Sequence, residues 1–140
     1  QIQEYFNLNL IAHILIAKMI VPIFKKQKRG DFIFLGSEAS IDAGKMATLY
    51  ATAKHGLSGF VKSLRAECNT SNIRVTIINP GMVRSSFFKN LNFQPGEKNE
   101  NAINKNDIAE LISFLLQTNK HVNYSEINLK PIKKNIQFNN

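Results

Sequence analysis

The sequence has few of the residues that punctuate or cross-link a chain: one cysteine, four prolines and seven glycines in 140 residues. A single cysteine, Cys68, excludes an intramolecular disulfide and suits a reducing compartment, so a cytoplasmic location is expected. Cys68 falls near the end of a helical pattern, where a free thiol packs as a small apolar filler. No Ser/Gly-rich or Pro-rich linker and no internal repeat divides the chain, which reads as one domain, 1–140. It opens on Gln1 with no charged segment leading into an apolar stretch, so no signal peptide is expected. A clean apolar run of about 20 residues, the length of a membrane span, is also missing. The longest run, Leu8 to Phe24, is interrupted by Asn9, His13, Lys18 and Pro22. It reads as a buried helix of a soluble fold, with no membrane partner.

Charge is abundant in one sign. The net charge is +8, with clusters at Lys25–Arg29 and Lys130–Lys134. A basic balance can mark nucleic-acid contact. The first cluster, however, sits where a helix ends, and cations are favoured at the negative end of the helix dipole. No aromatic side chains are interleaved with it to stack bases, so nucleic acid is not expected as a partner.

Residues from about Glu4 to Lys26 are apolar on most faces and predict a buried helix, partly in a subunit contact. Asp31 to Leu35, bounded by Gly30 and Gly36, predicts a fully buried strand. From Thr48 to Cys68 a helix is predicted, because Ala53, Leu57, Phe60, Val61 and Leu64 recur at helical spacing. Ile73 to Ile78 predicts a strand stopped by Asn79-Pro80-Gly81. Residues 84–104 read as an irregular polar loop, long enough to be a substrate loop or lid. Lys105 to Gln117 predicts a helix with Asn104 as N-cap and Asp107 in its first turn. Glu126 to Lys130 predicts a last strand, and residues 132–140 a polar tail. Alternating strands and helices imply βαβ units, hence an α/β fold around a parallel sheet. The three strands should be adjacent in chain order, with residues 32–35 at an edge. Open sheets of this kind bind ligands beyond the strand C-termini. Sequence order gathers Ser37, the Asn79-Pro80-Gly81 turn, Tyr50 and Lys54 at that edge.

Tyr50 and Lys54 are one helical turn apart on one face. A free tyrosine, with a pKa of about 10, exchanges protons poorly at neutral pH. A neighbouring ammonium favours the phenolate and makes the group a usable acid/base. On its own the Tyr-x-x-x-Lys spacing is a weak signal, since most such pairs are exposed helix surface. Ser37 alone could be a turn residue, Asn9 a satisfied buried amide, and Pro80-Gly81 a turn. His13 has no partners at metal-ligand spacing and reads as a packing histidine; no metal site is expected.

The combination is more specific. Ser37 followed thirteen residues later by Tyr50-Ala51-Thr52-Ala53-Lys54 resembles the active-site segment of the short-chain dehydrogenases/reductases. Asn9-Leu10-Ile11-Ala12, followed by Pro22, resembles the family helix that supplies a catalytic asparagine. Asn79 to Ser85 resembles the Pro-Gly turn that closes over the nicotinamide. Glycine stands at 36 and serine at 40 where the family often has the reverse. Ser85 replaces the usual threonine and keeps its hydroxyl.

The resemblance implies an NAD(P)-dependent oxidoreductase acting on a small carbonyl or alcohol substrate, and a homodimer or homotetramer. Its catalytic residues would be Asn9, Ser37, Tyr50 and Lys54. Tyr50 would transfer the proton, Ser37 would bond the reacting oxygen, and Asn9 would anchor a water relay to Lys54. Tyr50, Lys54, Pro80, Gly81, Val83 and Ser85 would hold the cofactor. The stretch from Lys120 to Pro131 resembles, more loosely, the NADP-dependent 3-hydroxy acid (serine/allo-threonine) dehydrogenases, which favours NADP over NAD. The family's N-terminal strands and Gly-rich pyrophosphate turn do not occur in these residues. The expected fold is therefore the C-terminal portion of a Rossmann-like doubly wound sheet, about three strands and three helices. Cofactor binding by these residues alone is not expected. Two alternatives stand beside the enzyme: a truncated, inactive fragment, and a basic binding module on the same fold.

Overall fold

The structure, a computed structural model, describes residues 1–45 and 47–138. Its centre is a parallel three-stranded sheet in the order β1 (Gly30–Leu35), β2 (Ile73–Pro80), β6 (Glu126–Leu129). Gly30 to Leu35 lie in register with Ile73 to Ile78, and Ile77 to Pro80 with Glu126 to Leu129. The expected adjacency holds, with β1 at one edge. β2 runs two residues further than its sequence pattern predicts, through Asn79 and Pro80, because β6 pairs with both.

Side-chain alternation assigns the two faces of the sheet. Phe32 and Phe34 of β1 and Ile73, Val75 and Ile77 of β2 share one buried cluster with Leu57, Val61, Leu64 and Cys68. These last four lie on α3 (Thr48–Cys68), a helix with the predicted bounds. Arg74, one step out of phase, serves the other face. Its guanidinium donates to the Leu115 carbonyl at 2.8 Å, Thr118 Oγ1 at 2.9 Å and a carboxylate oxygen of Asp31. It thereby ties β1, β2 and the end of α4 (Lys105–Gln117) together. Asn104 is the N-cap, as predicted, and with Asp107 it forms a capping box: Asn104 Oδ1 accepts from the Asn106 amide and Asp107 Oδ2 from the Asn104 amide.

The N-terminal helix departs from its expectation twice. It comprises α1 (Ile2–Phe6), a π-helical turn (Asn7–Ile11) and α2 (Ala12–Gln27). Within α1, the π turn and α2, only Ala17 is fully buried. The helix lies on one sheet face beside α3, and Leu10 packs where a Cβ on Gly56 would sit. Its other side meets nothing among the described residues. Leu8, Leu15, Ile16, Met19 and Ile23 are exposed there. Ile2–Gln27 is long and apolar enough to cross a bilayer by length and composition, and 6% of its most apolar window is buried.

The stretch read as an irregular loop is ordered by specific contacts. β3 (Val83–Arg84) pairs in parallel with β5 (Ile103–Asn104). β4 (Phe93–Pro95) pairs antiparallel with β7 (Ile136–Phe138). Arg84 Nη2 donates to the carbonyls of Gly96, Lys98 and Glu97 at 2.8, 3.0 and 3.4 Å, closing the loop on itself. The predicted polar tail is thus partly a strand; its last two residues, Asn139 and Asn140, lie outside the described residues. Asn101 Nδ2 donates to the Lys133 carbonyl at 2.8 Å, and Lys133 pairs with Glu100 at 3.1 Å. A loop and a tail each too short to be stable alone hold one another.

Candidate active site

β1 and β2 end at the same edge, and α3 begins beside it. A cavity of about 590 Å³ opens there, lined by Ser37, Tyr50, Pro80, Gly81, Val83 and Ser85 among others. Six sequence-predicted residues therefore meet in one place. Lys54 lies one turn below Tyr50 with its ammonium 5.8 Å from the ring centroid. It is buried and donates to the Leu35 carbonyl at 3.2 Å. Burial pushes its pKa below the usual lysine value. Asn9 stands apart from the cavity lining, in the π turn, where its Nδ2 donates to the Tyr5 carbonyl at 3.0 Å. Single π turns inside helices recur at functional sites.

Local hydrogen bonds orient Ser37. Its Oγ accepts from the Ala39 amide at 3.2 Å, and Ser40 Oγ donates to the Ser37 carbonyl at 2.7 Å. One lone pair of Ser37 is thereby occupied, while its own hydrogen stays free to donate into the cavity. Ser85 makes the same turn: its Oγ accepts from the Phe87 amide at 3.3 Å.

Three arrangements at the site have no simple sequence signal. Asn79, read as a turn residue, is completely buried. Its Nδ2 donates to Glu126 Oε1 at 3.1 Å and Asn128 Oδ1 at 3.0 Å, and its Oδ1 accepts from Ser40 Oγ at 3.3 Å. It locks the ends of β2 and β6 to the serine turn. A Cβ on Gly36 would sit 2.1 Å from Asn79 Oδ1, so glycine is required at 36 by this amide. Phe87 places its ring 6.1 Å from that of Tyr50 and belongs to the cavity wall. Tyr5 also lines the cavity, and burial together with the Tyr50 charge raises its pKa.

His13 packs against Phe34, with 6.5 Å between ring centroids, and its Nδ1 is buried without a partner among the described residues. Burial and the Lys54 charge lower its pKa. No group of three His, Cys, Asp or Glu side chains able to hold a metal occurs among the described residues. A second cavity, of about 570 Å³, opens at the opposite edge beside Arg29, Asp31, Arg74 and Lys120. Both Arg74 and Lys120 are paired there with Asp31.

The family model for short chain dehydrogenases matches residues 1–96. The chain belongs to this family. An uncharacterised oxidoreductase of Staphylococcus aureus (strain MRSA252) is 28% identical over 135 residues, which are 94% of this chain and 57% of that protein. The beta-ketoacyl-[ACP] reductase of Bacteroides thetaiotaomicron superposes with a TM-score of 0.76 at 27% identity, covering 93% of this chain and 52% of that one. The alcohol dehydrogenase of the archaeon Thermococcus sibiricus, solved with 5-hydroxy-NADP, superposes with a TM-score of 0.82 at 22% identity, covering 96% and 56%. At that identity the likeness is one of fold. The chain therefore spans a little over half the length of these short-chain dehydrogenase relatives. What it matches is a Rossmann-type α/β domain, and the coverage is that of a part of one.

Proposed function

We propose that this chain forms the catalytic half of an NAD(P)-dependent oxidoreductase that interconverts an alcohol and a carbonyl compound. The observation that carries this reading is the convergence of Ser37, Tyr50 and the Pro80-Gly81 turn on one cavity, with buried Lys54 behind the tyrosine. The residues present fit the nicotinamide end of the cofactor: a cavity of about 590 Å³ at the strand ends and a buried ammonium with donors to spare. Lys54 uses one donor on Leu35 and keeps two for ribose hydroxyls. Pro80, Gly81, Val83 and Ser85 form the wall against which the carboxamide end would rest. The cofactor, when bound, supplies the hydride chemistry.

The chain's own residues do the rest. Tyr50 gives its hydroxyl proton to the carbonyl oxygen during reduction and takes it back during oxidation. Ser37 donates its free hydrogen to the same oxygen and stabilises the negative charge that builds there. Lys54 holds the ribose, with its ammonium 5.8 Å from the Tyr50 ring centroid. Asn9 anchors a water that links Lys54 to solvent. Residues 84–104 border the substrate side. NADP, seen with a metagenomic short-chain oxidoreductase and as 5-hydroxy-NADP with the archaeal alcohol dehydrogenase, is the favoured cofactor. The ending from Lys120 to Pro131 makes 3-hydroxy acids one substrate class to assay. A second subunit covering the exposed apolar side of the N-terminal helix would make the enzyme a homodimer or homotetramer, which light scattering would detect. One second reading, an inactive fragment, is consistent with the 57% of the Staphylococcus aureus relative that the chain spans.

The test uses the chain joined to a nucleotide-binding half. Tyr50→Phe should remove nearly all NADPH oxidation, by a factor of about 10² or more, and leave NADPH binding close to unchanged, because only a hydroxyl is lost. Retention of most activity would sink the mechanism. Absence of turnover in the unsubstituted protein, with NADPH bound, would favour the inactive fragment.

A further inference from the structure

The substrate side of the cavity has a composition of its own. Phe87 stands 6.1 Å from the Tyr50 ring, Phe88 5.2 Å from Phe87, and Phe93 5.7 Å from Phe88, centroid to centroid. This run of rings leads outward from the proposed proton donor. Ile136 and Phe138 continue it, brought to the site by pairing of β7 with β4, in which Phe138 stands in register with Phe93. Phe87 is 57% exposed and Phe138 71%, so neither serves the core. An exposed apolar wall around a few polar groups is the usual form of a small-molecule site.

The charges at this site are equally informative. A carboxylate substrate in an apolar cleft requires a cation to receive it, best a bidentate arginine. Arg84, at the start of the loop, has its Nη2 occupied by the Gly96, Glu97 and Lys98 carbonyls. Lys134 is paired with Glu38. The remaining charged lining residues, Lys45 and Asp42, have opposite signs. The cavity carries no net positive charge.

We propose that this site takes a carbonyl compound with an aromatic or branched apolar body, held along the wall that runs from Phe87 to the C-terminal strand β7, rather than a 3-hydroxy acid or keto acid. The proposal rests on the oxidoreductase reading for the carbonyl alone; the apolar body follows from the wall.

Binding can be read without turnover by saturation-transfer NMR on the protein, titrated with propiophenone and with acetoacetate. Propiophenone should bind, with saturation strongest on its ring protons, and acetoacetate should bind at least tenfold more weakly. Phe87→Ser and Phe138→Ser, both at exposed positions that leave the core intact, should each weaken propiophenone by about five- to tenfold, the size expected of an aromatic contact. Preference for acetoacetate, indifference to both wall variants, or binding of neither probe overturns the proposal. A joined enzyme that binds both NADPH and propiophenone in this way but never reduces the ketone would overturn the oxidoreductase reading and leave the apolar site standing.

Discussion

Lys54 is the residue whose replacement separates stability from function most sharply. Its ammonium is buried and holds one hydrogen bond, 3.2 Å to the Leu35 carbonyl. No ion pair forms at Nζ among the described residues. Removing an ammonium from water costs several kcal/mol. A charge-assisted hydrogen bond returns only about 1.5–3 kcal/mol. Burial is the cause of the lowered pKa, so folding disfavours the charged form. Lys54→Met keeps the length and the apolar stem, removes the charge, and leaves the Leu35 carbonyl beside water, since Leu35 is 45% exposed. The variant should therefore be more stable at neutral pH by about 1 kcal/mol. With a urea slope of about 2 kcal/mol per M, its midpoint should rise by roughly 0.5 M, followed by far-UV circular dichroism. The gain also has a pH signature. Between the depressed native pKa and the ordinary value of 10.5, the unfolded chain binds the proton and the native chain does not. Native stability rises with pH in that window, and the advantage of methionine shrinks. In the joined enzyme the same substitution should weaken NADPH binding and turnover together. A midpoint lowered by 0.5 M or more would refute the view that this charge is held at a cost.

Three further substitutions test other parts of the structure. Ser37→Ala in the joined enzyme should lower kcat by roughly 10²–10³ with little change in NADPH binding, as for one oxyanion-type donor; unchanged kcat would remove Ser37 from the mechanism. His13→Leu eliminates the unpartnered Nδ1 and should stabilise the protein by about 1 kcal/mol at neutral pH. Because the native pKa of His13 is lowered below 6.5, the wild type should lose stability as pH falls below that value, whereas the leucine variant should not show this loss; parallel urea curves at pH 7 and pH 5 would contradict it. Arg74→Met removes one of the two donors to the Leu115 carbonyl and breaks the partly buried pair with Asp31, and should cost about 3 kcal/mol in the same urea assay; a loss below about 1 kcal/mol would show that Lys120 and water replace it.

The legible parts of the chain are those governed by local rules. α3 and α4 have their predicted bounds because apolar spacing and the Asn104–Asp107 capping box are written within each helix. The three sheet strands stand out as apolar runs, and the βαβ rule orders them. The meeting of Ser37, Tyr50 and Pro80-Gly81 follows from that order alone. What escaped depends on distant partners. Ile136-Gln137-Phe138 becomes a strand only because Phe93–Pro95 is there to pair with it. Arg84 organises the loop through backbone carbonyls, which have no residue code. Asn79 reads as a turn former, and its burial follows from β6 extending the sheet beneath it. The N-terminal helix is apolar almost all round, which tells how much surface seeks cover and not where cover comes from.

The pairing of β4 with β7 makes the 84–104 loop and the C-terminal segment one kinetic unit. The ladder spans three residues on each side, with Gly96 donating to the Asn135 carbonyl at 2.9 Å just beyond it. Short ladders open locally at far smaller free energy than the central sheet. Opening it frees Phe93 and Phe138 at once, and closing it returns both at once. Amide exchange in Phe93–Gly96 and Ile136–Phe138 should therefore proceed with a common opening rate. Where the release of a bound molecule requires that opening, the ladder rather than the tyrosine sets the pace of turnover.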